Sequence, residues 1–300
     1  MRVLVTGSSG FIGSALVASL EAGSHDVVRL VRRAATDAST VSWDPAAGQL
    51  DPAAVDGMDA VVHLAGEGIA SRRWSSSQMG RVIDSRVQGT TLLSHALSQT
   101  TQRPAVLLSA SAVGYYGDRG DDAVTEDDGP GTGFLAEVCQ QWEASTAAAE
   151  KAGIRVVHLR TASMVLSPTG GALARLLPLF RFGLGGRLGP GDQWMTWIGL
   201  DDHVQAISFL LTADQLRGPV NMSAPDPVTN AEFTKALGAA LHRPAIVPVP
   251  AAALHLVLGR QMAKEMLLSG ARVQSTRLQA ARFPFRHTDL REALSTMLAR

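Results

Sequence analysis

Short runs of β-branched and aliphatic residues alternate along the chain with longer amphipathic stretches. That alternation is what βαβ units produce: parallel strands buried on both faces, joined by helices that bury one stripe. The apolar runs predict strands at Val3–Thr6, Val27–Val31, Val41–Trp43, Ala60–Ala65, Ala105–Ser109, Val156–Leu159 and, late in the chain, Val220–Ser223. Helices are predicted to begin at Phe11, around Gln78, around Phe134, at Asp201 and at Asn230. The last has its own start signal, because Thr229-Asn230-Ala231-Glu232 places a glutamate three residues after a threonine cap. The fold class expected from this pattern is α/β, built on a parallel sheet.

The rhythm changes after Leu166. Segment 167–192 is rich in glycine and proline around an apolar stretch, Leu173–Phe182, and reads as an excursion from the sheet. Residues 245–300 begin with a proline-bracketed run, continue as an apolar helix near 251–268, and end in a helix from about Asp289. The expected division is therefore a nucleotide-binding domain of residues 1–165 and 191–222, with a small lobe of 166–190 and 223–300.

The segment between the first strand and first helix carries the clearest chemistry. Thr6-Gly7-Ser8-Ser9-Gly10-Phe11-Ile12-Gly13 leaves the strand directly and opens a helix whose apolar Ile12, Leu16 and Leu20 share one face. Glycines at this spacing allow a tight turn, close approach of backbone to a pyrophosphate, and close helix–strand packing. The helix start offers free N–H groups and a positive dipole end. A site selective for NAD(H) would end the second strand in an acid that accepts from the ribose 2′-hydroxyl. Here Val27–Val31 ends in Arg32-Arg33. A guanidinium suits a 2′-phosphate, so NADP(H) is favoured over NAD(H).

Composition narrows the picture. The chain has 300 residues, 46% of them hydrophobic and 18% charged, enough apolar content for a substantial core. Its 27 basic and 27 acidic residues balance, which gives no pull toward nucleic acid or an anionic membrane. No basic patch with aromatic interleaving supports nucleic-acid binding, and no apolar run reaches the ~18–20 residues of a membrane span. The early glycine at position 7 interrupts any secretory h-region. A cytoplasmic protein is expected. The single cysteine, Cys139, excludes an internal disulfide framework, and the scattered histidines offer no metal-ligand spacing. The three lysines, Lys151, Lys235 and Lys264, leave few places for lysine chemistry.

The glycine turn, the strand Asp59–Gly66 and Val87-Gln88-Gly89-Thr90 together resemble the extended short-chain dehydrogenase/reductases, relatives of nucleotide-sugar epimerases and dehydratases. The resemblance is closer to the subgroup called epimerase family proteins, sometimes labelled cell-division-inhibitor-like. Its marks include Arg72-Arg73-Trp74, Ser109–Gly117, Trp142-Glu143, Leu177–Gly186, Trp197-Ile198 and Asn221–Pro225. Asn230–Phe233 and the Gly259-Arg260-Gln261 region resemble its C-terminal domain of unknown function. The resemblance implies an α/β fold, a Rossmann-type doubly wound parallel sheet with a smaller, discontinuous C-terminal substrate lobe, and NADP(H) as ligand, with Gly7, Ser9, Gly10, Phe11, Ile12 and Gly13 lining the pyrophosphate. It places Arg32 at the adenosine phosphate and Leu64, Ala65 and Gly66 along the cofactor. By analogy the helices near 78–100 and 134–151 could form a dimer interface, so the chain is expected to be a monomer or a homodimer.

The catalytic positions depart from the family. There an Asn, a Ser or Thr and a Tyr-x-x-x-Lys pair do the work, the lysine lowering the pKa of a phenol that would otherwise be a poor base. Tyr115 and Tyr116 are the only tyrosines, and Arg119 and Gly120 stand four residues on. Phe134 and Val138 occupy the usual helix positions, or Leu135 and Cys139 if the register shifts by one. Arg86 stands where relatives have asparagine; the serine that survives is Ser111. The candidate catalytic set is therefore Ser111, Tyr115, Tyr116 and Arg86, with Arg86 also beside the cofactor.

Further candidates are Glu67 as an acid/base or cofactor contact, and Arg175, Arg181 and Arg187 as groups suited to an anionic substrate. Trp194 and Trp197 are candidate pocket walls, whereas Cys139 reads as a buried inert thiol and His63 as a core histidine. Two readings follow. One is an NADP(H)-dependent oxidoreductase, epimerase or dehydratase acting on a small polar substrate with a rearranged acid/base set. The other is an NADP(H)-binding sensor without turnover.

Overall fold

The structure, a computed structural model, describes residues Met1–Ala299. In chain order its strands are β1 Arg2–Thr6, β2 Asp26–Val31, β3 Thr40–Ser42, β4 Ala60–His63, β5 Val106–Ala112, β6 Ala123–Val124, β7 Arg155–Thr161, β8 Met164–Leu166, β9 Trp194–Met195, β10 Trp197–Gly199, β11 Gly218–Met222, β12 Val228–Thr229 and β13 Arg272–Val273. The main helices are α1 Phe11–Ala22, α2 Ser76–Gln99, α3 Phe134–Ala144, α4 Ala147–Lys151, α5 Gly171–Arg181, α6 Leu200–Thr212, α7 Asn230–Ala240 and α8 Ala251–Leu258, with a last helix at Leu290–Leu298.

The predicted strands form one seven-stranded sheet in the order β11-β7-β5-β4-β1-β2-β3. β1 pairs parallel with both β2 and β4, and the order reverses there. Such a reversal opens a crevice at the carboxyl ends of the two central strands. The strands read as near-continuous apolar runs because both faces are covered. Leu4, Val28, Leu30, Val61 and Leu107 pack with Leu93 and Leu97 of α2, while the alternate residues Val3, Val5, Val62 and Leu108 are also fully buried.

Two compact units make up the chain. The first comprises Met1–Ser111, Val138–Leu159 and Val204–Val220; the second comprises Ala112–Glu137, Arg160–His203 and Asn221–Arg300. The glycine-rich excursion and the C-terminal region fall in the second unit, as do 112–137, 160–165 and 191–203, which the expected division places with the nucleotide-binding sheet.

In the second unit α5, α7 and the last helix share a core of Leu173, Leu177, Phe180, Phe233, Leu237, Leu290 and Leu294 around Trp197. α7 starts where the capping box requires: the Thr229 hydroxyl accepts from the Glu232 N–H, and the Glu232 carboxylate accepts from the Thr229 N–H. Asp289 caps the last helix through the Arg291 and Glu292 N–H groups. The apolar stretch expected as one helix near 251–268 is broken instead at Gly259, whose φ of +87° a continuing helix does not permit.

Candidate functional site

The glycine turn stands at the crevice end of β1. Gly7 has a φ of +66°, and a Cβ there would lie 2.8 Å from the Leu64 carbonyl carbon. A Cβ on Gly13 would lie 2.1 Å from the Gly7 oxygen. Both positions exclude any side chain, which brings β1, the end of β4 and α1 together. Gly10 caps α1 without a side-chain bond, and no acid occupies the first turn. The first-turn N–H groups and the positive helix end therefore remain available to an anion.

Beneath the turn lies a buried polar chain. The Thr6 hydroxyl accepts from the Leu64 and Ala65 N–H groups at 3.0 and 3.1 Å, and it lies 2.8 Å from His63 Nδ1. His63 Nε2 lies 2.9 Å from Thr90 Oγ1, which also accepts from the Trp142 indole N–H at 3.0 Å. His63 is the satisfied core histidine the sequence suggested, and burial lowers its pKa to about 4. Leu64, Ala65 and Gly66 thus leave β4 on a scaffold built from the same threonine that ends β1.

Arg86, from α2, closes one side of that loop. Its Nη1 donates to the carbonyls of Glu67 and Val82, each at 3.0 Å, and its guanidinium stacks 4.7 Å from the centre of the Trp142 ring. A Cβ on Gly66 would stand 3.4 Å from the guanidinium carbon. Burial lowers the pKa of Arg86, against the opposing influence of Cys139 and Glu67. Arg32 is exposed at the end of β2, without a carboxylate partner among the described residues. Glu67 is half-buried and accepts from the Ser71 hydroxyl at 3.3 Å.

Ser111 ends the first unit's part of β5. It is 3% exposed and donates to Glu143 Oε1 at 2.7 Å. The other carboxylate oxygen of Glu143 lies 3.9 Å from His158 Nδ1. His158 Nε2 in turn lies 3.0 Å from Thr146 Oγ1 and 3.8 Å from Glu150, whose side chain is half in solvent. A hydroxyl hydrogen-bonded to a mostly covered carboxylate, with an imidazole at ion-pair distance from it and from a surface carboxylate, forms a set that can hold a proton and hand it toward solvent. Glu143 and His158 did not emerge as functional candidates from the sequence. Glu143 figured only as half of the Trp142-Glu143 pair, and nothing local set it apart from Glu137, Gln140 and Gln141 on the same helix.

The second unit holds the tyrosine pair. The Tyr116 hydroxyl donates to Asn221 Oδ1 at 2.7 Å and accepts from Arg160 Nη1 at 2.9 Å. Asn221 is held by its N–H on the buried carboxylate of Glu126 at 3.1 Å and by its amide on the Gln274 carbonyl at 2.8 Å. Burial pushes the Tyr116 phenol up to about 12. A phenol with both partners satisfied and a raised pKa suits an anchor rather than a proton shuttle. Tyr115 is half-buried with the Arg160 guanidinium 3.5 Å above its ring. Arg160, unremarked in the sequence, is the cation that reaches both rings.

Trp197 is buried in the core and donates to the Asp226 carbonyl, so it does not wall a pocket. Trp194 donates to Asp121 at 3.0 Å under Arg272. Cys139 is buried, as expected. Among the described residues no helix is long and apolar enough to cross a membrane.

A doubly wound sheet with a glycine turn at its switch point defines a dinucleotide-binding Rossmann protein. Residues 3–222 match the model of the NAD dependent epimerase/dehydratase family, and residues 249–297 match a domain of unknown function, DUF1731. The chain belongs to that epimerase/dehydratase family. It is 48% identical over 292 residues to an epimerase family protein of Mycobacterium bovis, covering 97% of this chain and 96% of the relative. The crystal structure of the human epimerase family protein SDR39U1 with NADPH superposes with a TM-score of 0.91 at 34% identity, covering 100% of both chains. A nucleoside-diphosphate sugar epimerase from Corynebacterium glutamicum superposes with a TM-score of 0.82 at 37% identity, covering 99% of this chain and 58% of that one.

Proposed function

We propose that this chain is an NADP(H)-dependent oxidoreductase, epimerase or dehydratase for a small polar substrate, in which Ser111 and Glu143 take over the proton transfer usually done by a tyrosine. The observation that carries the proposal is the 2.7 Å bond from Ser111, at the end of β5, to the mostly covered carboxylate of Glu143 in α3, whose side chain is 11% exposed. The family membership and the NADPH in the human relative's crystal structure support the cofactor. Gly7, Ser9, Gly10, Phe11, Ile12 and Gly13 would hold its pyrophosphate, Arg32 its 2′-phosphate, and Leu64, Ala65, Gly66 and Arg86 its flank.

Bound nicotinamide supplies hydride transfer to or from a substrate carbon. The protein must then supply or remove one proton at the substrate oxygen. In the oxidising direction Ser111 Oγ accepts the substrate hydroxyl proton while passing its own to Glu143. That proton leaves through His158 and Glu150 toward solvent, and reduction returns it along the same path. Arg86 fixes the loop after β4, Tyr115 is held under Arg160, and Tyr116 anchors the segment that follows Ser111.

A second reading, an NADP(H)-binding sensor without turnover, is favoured by the missing Tyr-x-x-x-Lys pair. Calorimetric titration with NADPH and NADH in parallel, on wild type and Arg32→Ala, tests the shared premise. Binding of NADPH that the substitution weakens selectively, by roughly tenfold or more for a lost charge-assisted contact, supports it. A subsequent screen of small carbonyl compounds separates the two readings, since any turnover of NADPH above background excludes the sensor. No binding of either nucleotide refutes both.

A further inference from the structure

A groove of about 500 Å³ on the second unit is lined by Arg187, Lys235, Arg243, Thr234, Ile246 and Pro248 together with small residues of α7. No acid lines it. None of the three cations has a carboxylate partner among the described residues, whereas Arg2, Arg29, Arg155, Arg277 and Arg286 each do. The cations come from three separate segments: the stretch after α5, the outer face of α7, and the strand-like run 243–248. They meet only because the chain folds.

The walls are fixed. The Val247 N–H donates to the Gly185 carbonyl at 3.1 Å, the Val249 N–H to the Arg187 carbonyl at 2.9 Å, and the Arg243 N–H to the Gly238 carbonyl at 2.9 Å. A Cβ on Gly186 would lie 1.8 Å from the Val247 oxygen, and one on Gly238 would lie 2.8 Å from the Ala245 Cβ. Two glycines therefore let run 243–248 press against its neighbours. Arg243 Nε donates to the Arg181 carbonyl at 3.0 Å, which orients its terminal nitrogens without using them. Such fixing lowers the ordering cost of binding.

Apart from Thr234, which is buried, the remaining lining is apolar. Ala231, Ala239, Ala245, Ile246 and Pro248 offer no hydroxyl or amide side chain to read a sugar, and Ile246 is 81% exposed. Leu184 and Val247 beside it are also exposed, so cations and uncovered apolar surface share one rim. Its size lies within the ~300–1,000 Å³ of small-molecule sites. We propose that this groove binds a pyrophosphate carrying a short apolar body, the diphosphate on Arg187, Lys235 and Arg243 and the body against Ile246 and Pro248. A pyrophosphate offers several anionic oxygens to three cations, a match that a carboxylate cannot make.

Calorimetry on the NADPH-saturated chain tests this, because saturation removes the glycine turn as a competing phosphate site. The probes are isopentenyl pyrophosphate, inorganic pyrophosphate and isopentenol. Isopentenyl pyrophosphate is expected to bind, inorganic pyrophosphate about tenfold more weakly, and the alcohol not at all. Lys235→Gln and Arg187→Gln, both at exposed positions, are each expected to weaken binding by roughly tenfold while leaving the melting temperature and NADPH affinity unchanged. Absence of isopentenyl pyrophosphate binding overturns the proposal. So does affinity no better than that of inorganic pyrophosphate, or affinity indifferent to both substitutions. If the chain binds no NADPH, the same titration on the unliganded chain stands, since the two groove variants still separate this site from the turn.

Discussion

Thr6 and His63 set each other's hydrogen bonding. The Thr6 hydroxyl accepts two backbone N–H groups, so its one proton is left for His63 Nδ1 at 2.8 Å. His63 must then carry its own proton on Nε2, where it donates to Thr90. One side chain at the end of β1 thus determines a tautomer inside β4 and holds the loop after β4 against the glycine turn.

Thr6→Val keeps the shape and removes the hydroxyl. Two N–H groups and a ring nitrogen lose their partner, at about 1–3 kcal/mol for each buried group left unpaired. A loss of about 3 kcal/mol or more in urea unfolding is expected, with weaker NADPH binding as the Leu64–Gly66 loop loosens. Unchanged stability would show that the chain of bonds contributes little.

Acid should destabilise the fold in a defined window. Burial holds His63 and His203 neutral, each with a pKa lowered to about 4 from an ordinary 6.5. The unfolded chain takes up these protons first, so the native state binds fewer of them between those values. The contribution is complete above pH 6.5 and is lost as pH falls toward 4, by up to about 3 kcal/mol per histidine. Urea midpoints measured from about pH 7.5 to 4.5, the span bracketing that window, should fall steadily; a flat profile refutes the assignment.

Tyr116→Phe distinguishes an anchor from a base. The hydroxyl satisfies Asn221 and Arg160, so its removal is expected to cost about 1–3 kcal/mol of stability while leaving kcat unchanged within a few-fold. A fall in kcat of roughly a hundredfold or more at unchanged stability would make Tyr116 the proton-transfer group instead.

Glu143→Gln keeps an oxygen for the Ser111 hydroxyl but removes the basicity. For the substrate that the carbonyl screen yields, kcat is expected to fall by roughly 10²–10⁴ with KM little changed, the range for loss of a general base. A merely structural change would raise KM or lower stability along with kcat. Ser111→Ala should match it, and the double variant should be no worse than either single one.

Periodicity and turn chemistry make much of this protein legible from the order of its residues. The alternation of apolar runs determined an α/β sheet because strands buried on both faces and one-sided helices require it. The glycines at 7, 10 and 13 marked the turn because two of those positions exclude a Cβ. The capping box announced α7 because capping involves only neighbours along the chain. Other features needed the packed structure. Ser111 and Glu143 are 32 residues apart, Tyr116 and Asn221 are 105 apart, and Arg187 meets Lys235 and Arg243 across three segments. Such pairings depend on strand order, helix rotation and loop path, which nothing local encodes. Packing decided that Tyr116 is sealed in the core while its neighbour Tyr115 is only partly covered. It also decided that the hydroxyl of Ser111 meets a carboxylate no motif had marked.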